Sequence, residues 1–538
     1  MESACDIFYG IHDNGGRSDI INNLLLQLDF HALSITLLAT TASHNMWDHD
    51  RVAKEWNAHR VQVLRTEYNE SLAATIELSL ASPTFQELTP DGRDLLGVVA
   101  FFPQGVDENN LDWLFPTIHN RRNIFDKFCV LSLTHRSNGF ITMLAPLRDY
   151  LSPKDPMTSP LLQATRKQYF GRLSVDLDFN KPSFEEARWI ISEDANVEHL
   201  LDVFTTVDAN SNDVWGACFD FMGHLYAHKP RLVVLRPKIE GLPDGHRSKP
   251  GCLLQLSQLF DSVGNRVERK RLLIHALRIW RERGEVLEVA QVLGFLSGAN
   301  RHLGLYEEGI QQAEAALEIY RRFGSKSTQA HCWQRLASLL HADNQLDAAE
   351  EAVFQALDLL KGGDDQSRVC KCHCLLGQIS CAKGETEKAI DHFETALGIA
   401  TSFNWHHEQL WNNFYLARLF CGENRFDDAH AHVERAKSHA INDAYHLGRV
   451  MEVQAEVWFR ERRFEDAKSE TLRAADVFES VGATEELERC RMNLGTIEEK
   501  MTEPVTSGKF PETVLSPACI NSPLSAPASP HADPSAND

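Results

Sequence analysis

Proline is absent from residues 251–503, although thirteen prolines lie at or before Pro250 and seven lie from Pro504 onward. Proline disrupts the interior of a helix because it lacks a backbone N–H and its ring clashes with the preceding turn. The same 253 residues are rich in alanine, leucine, glutamate and arginine, which favour helices. This stretch therefore predicts a long array of helices.

The array repeats with a period of 38 to 40 residues. Each repeat has a small residue near its centre and a second one seven positions later, at Gly309, Ala349, Ala389, Ala429, Ala467 and at Ala316, Ala356, Ala396, Ala436, Ala474. A third set lies twelve residues before the first, at Ser297, Ala337, Gly377, Ala417 and Ala455. Helices approach closely only where side chains are small, so these positions predict helix crossings within repeated helix–turn–helix pairs.

These residues resemble the tetratricopeptide repeat (TPR), which has the same small–large–small pattern in paired helices, usually with a period of about 34 residues. The resemblance covers residues 250–503 and implies about six pairs plus a final helix. It also implies a superhelix whose concave groove, lined mainly by the first helix of each pair, binds a protein or peptide. Other interpretations are a groove that is only solvated, or one that packs on the winged helix predicted below.

Candidate groove residues are the polar side chains of the first helices that lie outside the small and apolar set. They are Asn300, Gln334, Arg335, Gln378, Asn412, Asn413, Arg418 and Gln454. The set has many amides and no dense lysine and arginine clamp. It therefore favours hydrogen bonding to a peptide backbone or to polar side chains over binding of an acidic peptide.

The N-terminal half predicts helices interrupted by a β-hairpin. Thr89 and Pro90 suit the start of a helix over 89–102. Further helices are expected over 108–115, 123–133 and 145–151, and Asn138-Gly139 marks a hairpin turn within 133–144. The three helices before the hairpin, together with the hairpin, predict a winged helix. The expected domains are a helical remnant (1–65), the winged helix (66–152), a helical connector (153–249), the TPR-like superhelix (250–503) and a disordered Pro/Ser-rich tail (504–538).

This order resembles the C-terminal part of a STAND-type NTPase of the NB-ARC kind, and it is similar to basidiomycete fungal proteins that join an NB-ARC-like core to a TPR sensor. ALSITL (32–37) stands where the family has a GLPLAL-like motif, and MLAPLRDYL (143–151) stands where it has an MHD-like motif. The resemblance implies a signalling protein related to immune-type receptors. The family's nucleotide-contacting proline, histidine and aspartate correspond here to Ser34, Leu144 and Ala145.

The phosphate-binding loop of that family, G-x-x-x-x-G-K-[ST], is absent from this sequence. Without it no backbone cradle and no lysine hold the phosphates of a nucleotide. We therefore expect no cofactor and no catalytic activity. The alternatives are a TPR adaptor without a signalling role, a fragment of an ATP- or GTP-binding STAND NTPase, and a DNA-binding regulator that uses the winged helix.

Two groups of residues invite metal binding. Cys370, Cys372, His373, Cys374 and Cys381 lie on the first helix of one repeat, but zinc sites usually need a second pair of ligands, so core packing is favoured. His406, His407 and Glu408 follow Trp405 in what we expect to be a solvated inter-repeat loop. Neither group is therefore predicted to be a metal site.

Charge bears on the choice of partner. The net charge is −22, which disfavours binding to nucleic acid and to anionic membranes. In the predicted winged helix, Arg121, Arg122, Lys127 and Arg136 are accompanied by Asp107, Glu108, Asp112 and Asp126, which oppose DNA binding. Twelve cysteines without an apolar N-terminal segment suggest a cytoplasmic protein with reduced thiols. A protein or peptide partner is expected, and self-association is left open.

Overall fold

The computed structural model describes residues 2–502 except 14–15, 29–31, 64–69, 175–183, 229–230, 232, 263, 441–443 and 481–482. The predicted tail over 504–538 lies outside the described residues. Two compact units are present, and the division falls between Gln255 and Leu256. No helix in the described parts of the chain is long and apolar enough to cross a bilayer.

The N-terminal unit begins with five helices. They are α1 (Glu2–Ile11), α2 (Asp19–Gln27), α3 (Ala32–His44), α4 (His49–Val63) and α5 (Glu70–Ala81). Their core includes Phe8, Leu25, Ile35 and Trp56, all of which are almost fully buried. The hydroxyls of Thr41 and Ser79 lie 2.8 Å apart inside this core and join α3 to α5.

A small antiparallel sheet follows, with strand order β1-β3-β2. The elements are α6 (Pro83–Gln86), α7 (Pro90–Phe101), β1 (Val106–Asp107), α8 (Leu111–Leu114), α9 (Arg121–Val130), β2 (His135–Ser137), β3 (Phe140–Thr142) and α10 (Ala145–Leu151). Thr89 caps α7 by accepting a hydrogen bond from the backbone N–H of Gly92 at 3.1 Å. The predicted hairpin is confirmed, because Asn138 and Gly139 both adopt positive φ between β2 and β3.

The prediction of a helix over 108–115 was wrong at its beginning, where only Leu111–Leu114 is helical. Asp107 belongs to β1, which pairs with β3. Its carboxylate also accepts a hydrogen bond from the backbone N–H of Asn109 at 2.8 Å. This local bond favours a turn directly after the strand, in competition with helix.

The rest of this unit is helical, with α11 (Pro160–Leu173), α12 (Phe184–Val207), α13 (Asn212–His228), α14 (Arg236–Gly241) and the beginning of α15 (Lys249–Ser262). The segments 184–192 and 196–204 belong to the single helix α12. Glu193, between them, is fully buried and accepts hydrogen bonds from Asn110, Tyr169 and Asn196 at 2.7 to 3.0 Å. These bonds join the segment after β1 to α11 and α12.

The C-terminal unit is built from antiparallel helix pairs. After α16 (Arg266–Arg283), the pairs are α17 (Val286–His302) with α18 (Tyr306–Phe323), α19 (Lys326–Ala342) with α20 (Leu346–Leu360), α21 (Gln366–Lys383) with α22 (Thr386–Ser402), α23 (His406–Gly422) with α24 (Phe426–His439), and α25 (Ala444–Arg460) with α26 (Phe464–Ser480), followed by α27 (Thr484–Thr502). Positive φ angles at Asn344, Gly384 and Asn424 end first helices.

Small residues lie where these helices cross. The crossing positions are buried, and at Gly377 an added Cβ would approach the Phe393 ring to 2.7 Å. At Gly309 it would lie 2.6 Å from the Leu339 side chain. Neighbouring first helices also contact one another, such as α17 with α19 and α23 with α25, while contacts between neighbouring second helices are sparser in the described part of the array. The first helices therefore form the inner face of the array.

Candidate functional site

The inner face carries a cluster of arginines near the beginning of the array, which we call the arginine cluster. It consists of Arg269 from α16, Arg301 from α17 and Arg335 from α19. Arg335 reaches back to α17, where it donates a hydrogen bond to the Gly294 carbonyl and lies 5.0 Å from the centre of the Phe295 ring. Its Nε lies 3.1 Å from His331 Nε2.

Gly298 provides the space in which two of these guanidinium groups meet. A Cβ at this position would lie 3.5 Å from Arg335 Nη1 and 3.8 Å from Arg269 Nη2. Because glycine has no side chain, both groups converge over the same point of α17. Gly298 itself is only partly buried, so this point faces the inner surface.

The cluster has more positive than negative charge. Arg269 forms an ion pair with Asp261 at 2.5 Å, and its side chain is 7% exposed. Its Nε has no hydrogen-bond acceptor among the described residues. Arg301 and Arg335 have no carboxylate within 4.0 Å in the described part of the chain.

Burial, together with the charges of Arg269 and Arg335, lowers the pKa of Arg301 to about 10. Burial likewise lowers the pKa of Arg335 to about 10. Both values remain well above neutral pH, so the two side chains stay charged. Mutual repulsion in a confined space makes this cluster a region that an anion would stabilise.

The predicted groove amides lie mainly between helices. Exposure is 7% or less at Asn300, Gln378, Asn412, Asn413 and Gln454. Asn300 donates a hydrogen bond to Gln312 of α18 at 2.9 Å, and Asn413 Oδ1 lies 2.8 Å from His432 Nδ1 of α24. Gln454 pairs with His430 at 2.9 Å. Gln334 is half-buried on α19, and Arg418 lies 3.6 Å from Glu456.

The far end of the inner face carries charges that are paired. Arg489 of α27 donates two hydrogen bonds to the Glu452 carboxylate of α25, at 2.7 and 2.9 Å. Arg449, whose side chain is 3% exposed, lies 3.4 Å from the same carboxylate. Burial raises the pKa of Glu452, although its bonds to Arg489 oppose this shift. These groups hold the last helices together.

The cysteines of α21 lie in the core of the array. Cys370 is fully buried, and its thiol lies 3.3 Å from the Ala396 carbonyl oxygen. Burial raises the pKa of Cys372 and of Cys374 to about 12, so both remain thiols at neutral pH. His373 lies 3.4 Å from His392. In the described residues no group of three or more His, Cys, Asp and Glu side chains could hold a metal ion.

The predicted loop at His406, His407 and Glu408 was wrong, since these residues begin α23. The preceding turn is made by Asn404, whose φ of 57° ends α22, so the chain enters the next helix at once. His407 accepts a hydrogen bond from the Trp411 indole one helical turn later at 3.1 Å. His406 lies 3.2 Å from His439 of α24.

In the N-terminal unit, carboxylates pair with most of the basic residues considered for DNA binding. Arg121 bonds to Asp112 at 2.5 Å, and Arg136 bonds to Glu108 and Asp126, each at 2.5 Å. Lys127 lies 3.6 Å from Glu87, and Arg122 is exposed near the beginning of α9. These pairs leave little net positive charge on the surface of α9 and the hairpin.

The three positions that the resemblance to NB-ARC proteins singled out have different surroundings. Ser34 is fully buried within α3. Leu144 precedes α10 with its side chain 46% exposed, and Ala145 is the first residue of that helix. None of these side chains can supply the charge of the family's histidine or aspartate.

Comparison with solved structures supports the architecture. A STAND protein with a tetratricopeptide repeat sensor from Pyrococcus horikoshii aligns with 93% of this chain and 72% of its own, with a TM-score of 0.50 and 13% identity. A Rap protein complexed with competence and sporulation factor covers 62% of this chain (99% of its own; TM-score 0.41; 15% identity). Aspartyl phosphate phosphatase F from Bacillus subtilis covers 64% (97% of its own; TM-score 0.38; 12% identity).

A scan against protein-family models and a search of curated proteins give no match. At these identities the structural likeness concerns the fold. The chain therefore has a mainly helical fold with a TPR-like solenoid, as the repeat pattern predicts.

Histidines in the array should make its stability depend on pH. Burial lowers the pKa of His432 to about 4, and its Nδ1 is bonded to Asn413. The pKa of His432 in the folded protein lies below its unfolded value of about 6.5, so folding favours the neutral imidazole. The contribution of His432 to the free energy of unfolding is therefore present above pH 6.5 and is lost as the pH falls. Urea unfolding measures how much free energy of unfolding is lost between pH 7.5 and pH 5.5. This loss should be about 1 kcal/mol smaller in His432→Gln than in the wild type.

The matched control is His44→Gln, at an exposed position of α3. It should keep the pH dependence of the wild type. An equal loss of stability in His432→Gln and in the wild type would contradict the prediction.

Proposed function

We propose that this chain is a non-catalytic protein-interaction component of a signalling system, and that its repeat array holds a protein or peptide on the inner face of its first helices. The observation that carries the proposal is the TPR-like solenoid with partly exposed polar side chains on that face. Gln334, Arg335 and Arg301 are all partly accessible there, whereas the crossing residues are buried. A solenoid of this kind offers an extended surface to a partner.

We further propose that residues 66–152 form a winged-helix domain of the NB-ARC type that packs within the protein. The β-hairpin and the helices before it support this interpretation. The ion pairs of Arg121 and Arg136 favour an internal role over DNA binding, because DNA binding needs unpaired positive charge facing the phosphates. We place the protein in the cytoplasm.

Nucleotide binding is expected to be absent or weak. The sequence has one Gly-Lys pair, Gly508-Lys509, and it is followed by Phe510 rather than by the Ser or Thr that binds magnesium. Calorimetry with ATP and with ADP at millimolar concentration should give no saturable heat, and no phosphate should be released. Saturable binding in the micromolar range would contradict this expectation and favour the NTPase-fragment alternative.

Site-directed cross-linking tests the location of the partner. A photo-reactive phenylalanine analogue placed at Gln334, which is half-buried on α19, should capture a partner in cells. The matched control places it at Glu314, an exposed position of the second helix α18. We expect a discrete cross-linked product from position 334 that is absent from position 314. Equal cross-linking from both positions would contradict binding at the inner face.

A further inference from the structure

The arginine cluster joins three helices that are separate in sequence. Arg269, Arg301 and Arg335 come from α16, α17 and α19. Their guanidinium groups are brought together by the helix packing, and two of them meet over Gly298. Each guanidinium is planar and can bind a carboxylate through two parallel hydrogen bonds.

Two features of the cluster indicate an acceptor that the chain does not supply. Arg269 is 6% exposed, and its Nε has no acceptor among the described residues. A buried donor without a partner costs about 1–3 kcal/mol, so an incoming oxygen would be favoured there. Asp261 is the only carboxylate paired with the three arginines in the described part of the array, which leaves two positive charges.

We propose that Arg269, Arg301 and Arg335 form an anion-binding subsite that receives a carboxylate side chain of an acidic segment of the protein partner. This inference rests on the proposed function and specifies the chemistry of its partner. Charge complementarity supports it, since the cluster is cationic although the whole chain has a net charge of −22. It also revises the expectation of an amide-lined groove without an arginine clamp.

The partner is an acidic peptide segment rather than a small free anion because the cluster lies on a face that continues along the array. Beyond Arg335 the face carries Gln334 and, on the next first helix, Lys371. Lys371 lies 3.8 Å from Glu408. A peptide bound at the cluster can therefore continue along the first helices, whereas a free anion would use the cluster alone.

Fluorescence anisotropy on the full chain tests the subsite, with a labelled peptide of ten glutamates as the probe at 50 mM salt. We expect saturable binding that weakens with salt, and no binding of a peptide of ten glutamines. Arg301→Gln should weaken binding at least tenfold. The matched control is Arg322→Gln on α18, which removes the same charge at an exposed position paired with Glu318. It should change the affinity by less than twofold.

A second variant tests the site without removing an arginine. In Gly298→Glu the added Cβ would lie in ordinary contact with Arg335 and Arg269, so the new carboxylate starts beside both guanidinium groups. We expect it to abolish binding of the glutamate peptide while the melting temperature is maintained or raised, because the new carboxylate replaces the ligand. Unchanged binding in both Gly298→Glu and Arg301→Gln would overturn the proposal. Tight binding of inorganic phosphate without binding of the glutamate peptide would also overturn it.

The two proposals can fail separately. If cross-linking at position 334 persists while Arg301→Gln binds the glutamate peptide like the wild type, the proposed subsite is wrong. The placement of the partner on the inner face then stands. If the glutamate peptide binds as expected while no product forms at position 334, the anion-binding subsite stands and the placement of the partner along the first helices is wrong.

Discussion

Replacing Glu452 by alanine is expected to lower the free energy of unfolding of the array by about 3–5 kcal/mol. The Glu452 side chain is 5% exposed and accepts two hydrogen bonds from Arg489 of α27. Its removal leaves Arg489 and the buried Arg449 without this carboxylate. A buried charge that loses its partner is costly, because water cannot replace the lost bonds. Urea unfolding followed by circular dichroism measures the change.

The matched control is Glu434→Ala on α24. Glu434 pairs with Lys437 at 3.2 Å, but its side chain is 69% exposed. Such surface pairs contribute at most about 1 kcal/mol. A loss below 1 kcal/mol in Glu452→Ala would show that the pair with Arg489 does not hold α27 to α25.

Gly377→Ala is expected to destabilise the protein by about 1–3 kcal/mol. An added Cβ would lie 2.7 Å from Cε1 of Phe393, which real structures do not tolerate without movement. The Phe393 ring cannot move freely, because it is fully buried and stacks on Tyr415 with ring centres 5.0 Å apart. Thermal and urea unfolding of the variant measure the loss.

Gly398→Ala, on α22 of the same pair, should have the opposite effect. A Cβ at this position meets no atom within 4 Å, and the residue is exposed. Alanine favours a helix interior over glycine by about 1 kcal/mol, so this variant should be more stable than the wild type. If both variants shift stability in the same direction, the helix crossing at Gly377 is placed incorrectly.

The repeat pattern predicted the helical array well because it follows from close packing. A helix crossing excludes large side chains, so small residues recur at the same place in every pair. The turns were also predictable, since Asn344, Gly384 and Asn424 adopt positive φ, which asparagine and glycine tolerate. In the N-terminal unit, Thr89 and the Asn138-Gly139 turn gave equally local signals.

The arginine cluster was missed because its members do not share a repeat position. Arg301 lies four residues after the crossing residue Ser297, whereas Arg335 lies two residues before Ala337. Arg269 comes from α16, which precedes the first of the five helix pairs. No periodic signal connects them, and only the packing of α16, α17 and α19 brings them together.

The amides were misplaced for a related reason. One residue turns a helix by about 100°, so one of the two neighbours of an inner-face residue can face another helix. Asn300, next to Arg301, is fully buried against α18. Asn413 likewise faces His432 of α24. Composition alone does not distinguish an amide that binds a partner from one that joins two helices.

The central claim is that a partner binds along the first helices. Hydrogen exchange of the full chain, alone and with the partner identified by cross-linking, tests it most directly. We predict slower amide exchange in α17, α19 and α21 on binding, and little change in α18, α20 and α22. Protection confined to the second helices, or to residues 2–255, would contradict the account.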